Sequence, residues 1–161
     1  MSSISRILVT TDFSEISKDA FSLAVEMAKV FRAKITILHV FEEDLVAVYP
    51  MIAGYMQPEV IEAGRYREEA RKRSEEALQA LAKDLAKKGV AVDTMLRAGT
   101  KPFIEIVRAA REIPADLVVM ATHGRTGLKY VLIGSTAERV VRKAPCAVLT
   151  VKPPGPEFTA P

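Results

Sequence analysis

The chain has one cysteine, Cys146, no tryptophan and an aromatic share of only 6% in 161 residues. A lone cysteine builds neither a disulfide framework nor a cysteine-based zinc cluster. It follows Pro145 at the start of an apolar run and reads as a small core residue. An excess of one charge is missing too: 23 Lys plus Arg stand against 20 Asp plus Glu, a net +3 with no block of like charges. So even a spread gives no electrostatic footprint for nucleic acid. No apolar run approaches the ~20 residues that span a bilayer, and MSSISRILVTTDF offers three apolar residues before Thr10, too few for a signal-peptide core. The expectation is a cytoplasmic protein with no nucleic-acid and no membrane partner. Two motifs are also lacking. Without G-x-x-x-x-G-K-[ST] there is no P-loop lysine, and without G-x-S-x-G no elbow exposes a serine, so Ser135, His123 and Asp12 do not read as a triad.

What is present is an alternation of two periods. The runs Arg6–Thr11 (RILVTT), Lys34–Val40, Leu117–Ala121 and Ala147–Val151 are apolar on both faces, as buried parallel strands are. Val90–Arg97 (VAVDTMLR) is more polar and fits an edge strand. Between them the period becomes helical. Ala20, Ala24, Met27, Ala28 and Phe31 share one face, as do Phe103, Val107 and Ala110, and Ala137, Val140, Val141 and Ala144. The longest helix is expected from Pro58 to a stop at Gly89, with Leu78, Leu81 and Leu85 as its inner stripe.

The resulting βαβαβαβαβ order predicts a single α/β domain, a doubly wound open five-stranded parallel sheet with helices on both faces. Strand order 3-2-1-4-5 sets β1 beside β4 where the winding reverses, and ligands bind outside the carboxyl ends at such a point. Residues 1–152 form this domain. Residues 153–161 hold four prolines in nine and read as a disordered or extended tail. Asp44–Gln57 is apolar for a connection and reads either as a lid or partner surface or as satellite core.

Chemistry concentrates in Met120–Thr136, MATHGRTGLKYVLIGST, which holds three of the eight glycines directly after a buried strand. Glycine permits positive φ and close approach of backbone N–H groups to a ligand. Ser135 followed by Glu138 is the Ser-x-x-Glu pattern of a capping box, so a helix should begin here, its N–H groups and positive dipole end facing the crevice. These pieces alone also fit a plain turn followed by a capped helix.

Together, THGRTGLKYVLIGSTAERVVRKAPCAVLTVK, the opening RILVTTDFS and the central ITILHV closely resemble the universal stress protein (UspA) family, from about Arg6 to Lys152. The resemblance implies an adenine nucleotide alpha hydrolase-like fold and a binder of ATP or a related adenine nucleotide, serving as a stress-response regulator or scaffold. Nucleotide-binding members carry G-x-x-G, nine residues, then G and Ser or Thr. Here Gly124, Gly134 and Ser135 match, whereas Ala121 occupies the first glycine position. One added methyl at a close approach costs about 1 to 3 kcal/mol, roughly 5- to 150-fold in affinity.

The resemblance further implies that Thr10, Thr11 and Asp12 meet the adenosine and that Val40 walls the adenine. Met120 and Ala121 would line the ribose, and Gly124, Arg125, Gly134, Ser135 and Thr136 would hold phosphates, with Mg²⁺ or Mn²⁺ bridging phosphate oxygens. For Asp12, N-capping of the first helix is the alternative role. His39 reads as a satisfied sheet-end residue and His123 as a hydrogen-bonding spacer or a phosphate contact. The family also implies a homodimer through Ala147–Val151. Two other readings stay open: a nucleotide-free dimeric interaction module, and at most weak ATP hydrolysis, for which no catalytic residue can be named.

Overall fold

Strands apolar on both faces require cover on both sides, and the nine elements supply it. In the computed structural model, which describes residues 4–42, 58–122 and 134–152, they run β1 (Arg6–Thr11), α1 (Ser17–Phe31), β2 (Lys34–Glu42), α2 (Pro58–Ala86), β3 (Val92–Gly99), α3 (Pro102–Glu112), β4 (Leu117–Ala121), α4 (Ser135–Lys143) and β5 (Ala147–Val151). The sheet order is β3-β2-β1-β4-β5, every pairing is parallel, and β3 lies at an edge as its polarity predicts. The Asp44–Gln57 connection, His123 and the 153–161 tail fall outside the described residues.

Alternation along the strands splits the core in two. Ile7, Val9, Ile35, Ile37, Leu117 and Val119 face α1 and α2, packing on Ala24, Val25, Leu78 and Leu85. Leu8, Leu38, Val118 and Met120 face the other way, onto Ile106, Ala109 and Ala110 of α3 and Ala137 and Val140 of α4. Full burial of each large side chain contributes roughly 1.5 to 3 kcal/mol.

The structure corrects several local expectations. In α1 the buried face is Ser17, Ala20, Phe21, Ala24, Val25 and Ala28. Phe31 is exposed because the helix ends there and Arg32 turns left-handed at φ 55°. On α4, Val141 points to solvent while Ala137 and Val140 are buried, since a nine-residue helix presents only a narrow stripe. Strand β3 begins at Val92 instead of Val90. Val90 is buried in the core before the ladder, and the Ala91 carbonyl accepts from Ile35 N–H at 2.9 Å. Cys146 is half-buried against the second core, and burial raises its thiol pKa.

Candidate functional site

The β1–β4 ladder stops at Val9 opposite Val119, two residues before either strand ends. On the outer sides pairing continues, with Thr10 and Thr11 opposite Leu38 and His39 and Ala121 opposite Val151. The two central strands therefore part at their carboxyl ends. A cleft of about 670 Å³ opens there, within the ~300 to 1,000 Å³ typical of small-molecule sites.

Nine of the eleven candidate residues line it: Thr10, Thr11, Asp12, Val40, Met120, Ala121, Gly134, Ser135 and Thr136. They come from four elements far apart in sequence. The other two, Gly124 and Arg125, lie outside the described residues. Leu38, Val40, Ile106 and Met120 give the cleft apolar lining residues, and Thr10, Ser135 and Thr136 give it hydroxyl-bearing ones. Asp12 is the only Asp, Glu, Lys or Arg among the described lining residues.

The turn after β1 is held by its own side chains. Thr11 Oγ1 accepts from Phe13 N–H at 2.9 Å and lies 3.2 Å from Ser17 Oγ, which donates to the Ser14 carbonyl at 2.6 Å. Asp12 Oδ1 accepts from Ser14 N–H at 3.0 Å, an Asx turn. The N-cap of α1 is Ile16, so Asp12 does not cap that helix. From the neighbouring strand, buried His39 places Nδ1 2.8 Å from the Thr11 carbonyl. A carbonyl only accepts, so Nδ1 carries the proton. The sheet-end role expected for His39 is what the structure shows. Its ring also stacks against Phe13 at 4.4 Å between centroids, and Phe13 holds a left-handed φ of 62° without being glycine. Such backbone persists only where neighbours fix it.

The start of α4 is built differently. Gly134 N–H donates to the Thr122 carbonyl at 2.7 Å, pinning the helix start to the tip of β4, and Thr122 N–H donates to Val151 at 2.9 Å. The N-cap is Gly134 with extended backbone, and no side chain among the described residues caps it. The expected capping box is therefore absent, because the helix starts one residue too early for Ser135 to be the cap. Glu138 instead accepts from Arg142 at 3.3 Å. The carboxylate that could have competed for the helix's free N–H groups is turned away from them.

Sequence reasoning missed part of the lining: Ser17, Phe41, Ala70, Ser74, Pro102 and Thr122. For Ala70 and Ser74 a signal existed. The spacing 70, 74, 78 continues the inner stripe of α2 through Leu78 at i, i+4, i+8, yet its first two members are small. No cluster of three or more His, Cys, Asp or Glu that could hold a metal occurs among the described residues, and no helix among them is long and apolar enough to cross a membrane.

Comparison with known proteins agrees with this architecture. The model of the universal stress protein family matches residues 3–152. Universal stress protein MJ0531 of Methanocaldococcus jannaschii is 36% identical over 152 residues, covering 94% of this chain and 84% of that protein. The solved structure of hypothetical protein MJ0577 superposes with a TM-score of 0.80 at 26% identity, over 95% of this chain and 99% of that one. A universal stress protein from Archaeoglobus fulgidus, solved in complex with dAMP, has the same fold with a TM-score of 0.61 at 20% identity, over 92% and 98% of the two chains. The chain belongs to the universal stress protein family.

Proposed function

We propose that this protein binds ATP or a related adenine nucleotide in the cleft between β1 and β4 and acts in the cytoplasm as a stress-response regulator or scaffold. The observation that carries the reading is convergence: nine residues singled out from sequence line one cleft at the winding reversal. That a relative of the same fold is solved with dAMP supports the adenine class.

In this reading the phosphates lie at the start of α4, where uncapped N–H groups, the dipole and the hydroxyls of Ser135 and Thr136 favour an anion. The resemblance adds Gly124 and Arg125, which lie outside the described residues, to the phosphate-holding set. Asp12 accepts from a ribose hydroxyl or an amino group, and Met120 and Ala121 flank the ribose. Mg²⁺ or Mn²⁺ is held through phosphate oxygens, which suits a cleft with a single carboxylate. The protein pairs as a homodimer through β5, an edge strand whose outer side has no sheet partner among the described residues.

The test is to denature purified protein and assay the supernatant at 260 nm and by mass spectrometry, then titrate ATP with Mg²⁺ by calorimetry. A bound adenine nucleotide or saturable heat supports the reading. Neither a released nucleotide nor heat, with no thermal shift, overturns it. Ala121 lines the cleft and favours one second reading, an interaction module of the same fold that no longer holds nucleotide. Ala121→Gly separates the two: in a binder whose affinity the methyl limits, affinity rises about 5- to 150-fold.

A further inference from the structure

Thr11 opposite His39 is the last pair of the β1–β2 ladder, and one residue later comes Asp12, the one charged residue among the described lining of the cleft. Both chain neighbours of Asp12 are held by the same side chain. His39 Nδ1 donates to the Thr11 carbonyl at 2.8 Å, and that carbonyl belongs to the planar peptide unit joining Thr11 to Asp12, so fixing it fixes the direction of the Asp12 N–H. On the other side of Asp12, the His39 ring packs on Phe13 with 4.4 Å between centroids and 44° between the planes.

Phe13 is the point at which this turn would otherwise give way. Its φ of 62° lies in the left-handed region that favours glycine, and a side chain holds such backbone only where its surroundings fix it. A histidine that merely satisfied a strand end would need the carbonyl contact alone. His39 makes both contacts, is 4% exposed, and itself lines the cleft. Since Asp12 Oδ1 accepts from Ser14 N–H within the same turn, the shape of the turn decides where the carboxylate sits.

We infer that His39 is a positioning residue for Asp12, clamping the Thr11 carbonyl and the Phe13 ring so that the carboxylate is fixed before a ligand arrives. This rests on the nucleotide reading above, in which Asp12 accepts from the ligand, and adds the residue that keeps the acceptor in place. An acceptor ordered beforehand spares the ligand the cost of ordering it. The contribution of His39 to affinity therefore passes through Asp12, and the two are not additive.

ATP affinities measured by calorimetry for the wild type, His39→Leu, Asp12→Asn and the double variant decide the matter. Leucine has no donor. His39→Leu should weaken ATP about tenfold when Asp12 is present and less than about twofold when it is already Asn. His39→Asn, whose side-chain amide carries a donor near the place of Nδ1, should recover affinity to within about threefold of the wild type. Because His39 is buried, Phe13→Gly supplies an arm outside the core: Phe13 is 37% exposed, and glycine takes the left-handed φ without steric cost. Removing that ring should weaken ATP about threefold, again only while residue 12 is a carboxylate. Thermal unfolding verifies that each variant folds, and where His39→Leu does not, Phe13→Gly decides by the same criteria. Wild-type affinity in these variants, or a loss that persists undiminished in Asp12→Asn, overturns the inference and leaves the nucleotide reading standing. Binding of no ATP by the wild type overturns both.

Discussion

Two helix starts flank the cleft, and they treat their polar groups in opposite ways. At the entry to α1, Thr11, Asp12 and Ser17 receive or supply hydrogen bonds within the turn, and His39 secures it from the adjacent strand. At the entry to α4 a glycine stands in the cap position, no side chain among the described residues closes the helix, and Glu138 pairs with Arg142. The first start meets its leading N–H groups with the Ser14 and Glu15 carbonyls and leaves Ser14 Oγ as its one buried side-chain atom without a partner among the described residues. At the second, no described side chain takes the N–H groups that follow Gly134, and an open helix end of that kind attracts an anion. The contrast predicts that changes to Thr11 and Ser17 in the α1 turn chiefly alter stability, whereas changes at α4, and at Asp12 as the one described charged residue of the cleft, chiefly alter ligand affinity.

The strongest way to break that contrast is Ser135→Glu. An acidic residue in the first turn complements the helix dipole and should raise stability by about 0.3 to 1 kcal/mol. The same charge beside a triphosphate should weaken ATP about 100-fold, since like charges a few ångströms apart near a surface repel by several kcal/mol. Calorimetry and urea unfolding on one preparation read both effects. Stability and affinity falling together would remove the distinction between the two helix starts.

Thr11→Val tests the opposite half. The valine keeps the shape but leaves Phe13 N–H without its acceptor and Ser17 Oγ without its neighbour, in a residue only 7% exposed. The expected loss is about 1 to 3 kcal/mol in urea unfolding. Asp12→Asn is subtler. Asparagine can accept from Ser14 N–H as the carboxylate does, so stability should hold within about 0.5 kcal/mol. Affinity should drop about tenfold, because the charged acceptor is lost to the ribose or amino group. An Asn variant that binds ATP as the wild type does would make Asp12 a turn residue and nothing more.

How far this contrast was legible beforehand depends on range. Strands β4 and β5 were readable to the residue, because burial on both faces forces an unbroken apolar run, whose limits are its own signal. Edge strand β3 was displaced by two residues, since half its side chains meet solvent and Val90 joins the core before the ladder begins. Strand β2 runs two residues past Val40, to Glu42. Gly134 and Ser135 were pointed out by the resemblance to the family motif, and both line the cleft. The capping box was misread because Ser-x-x-Glu specifies a pattern while a one-residue shift of the helix start decides whether it closes. The lock of His39 on Thr11 was not legible, because it joins residues 28 apart and depends on the register of two strands. The α2 part of the lining was half visible as an interruption of the leucine stripe. Nothing in the sequence says that the interruption faces a cleft.

The smallest effect belongs to the far end of the same strand, and it sharpens the contrast by supplying a carboxylate with no ligand to serve. Asp116 Oδ2 accepts from Ser5 N–H, Ser5 Oγ and Arg6 N–H at 2.8 to 2.9 Å, holding the start of β1 to the start of β4, away from the cleft. Those bonds, the Ser5 amide foremost, hold its carboxyl pKa below the ordinary aspartate value. A carboxyl lowered on folding contributes stability that is fully present above the unfolded-state pKa, about 4, and is lost as pH falls from there through its native value. Asp116→Asn should therefore lower stability at pH 7 by about 1 kcal/mol, differ from the wild type progressively less as pH falls below about 4, and leave ATP affinity untouched. Urea unfolding as a function of pH, with calorimetry at pH 7, measures all three. If affinity falls with stability here, at the end of β1 remote from any ligand, then stability and binding are coupled through the strand as a whole, and the separate behaviour of the two helix starts is not a local property of either.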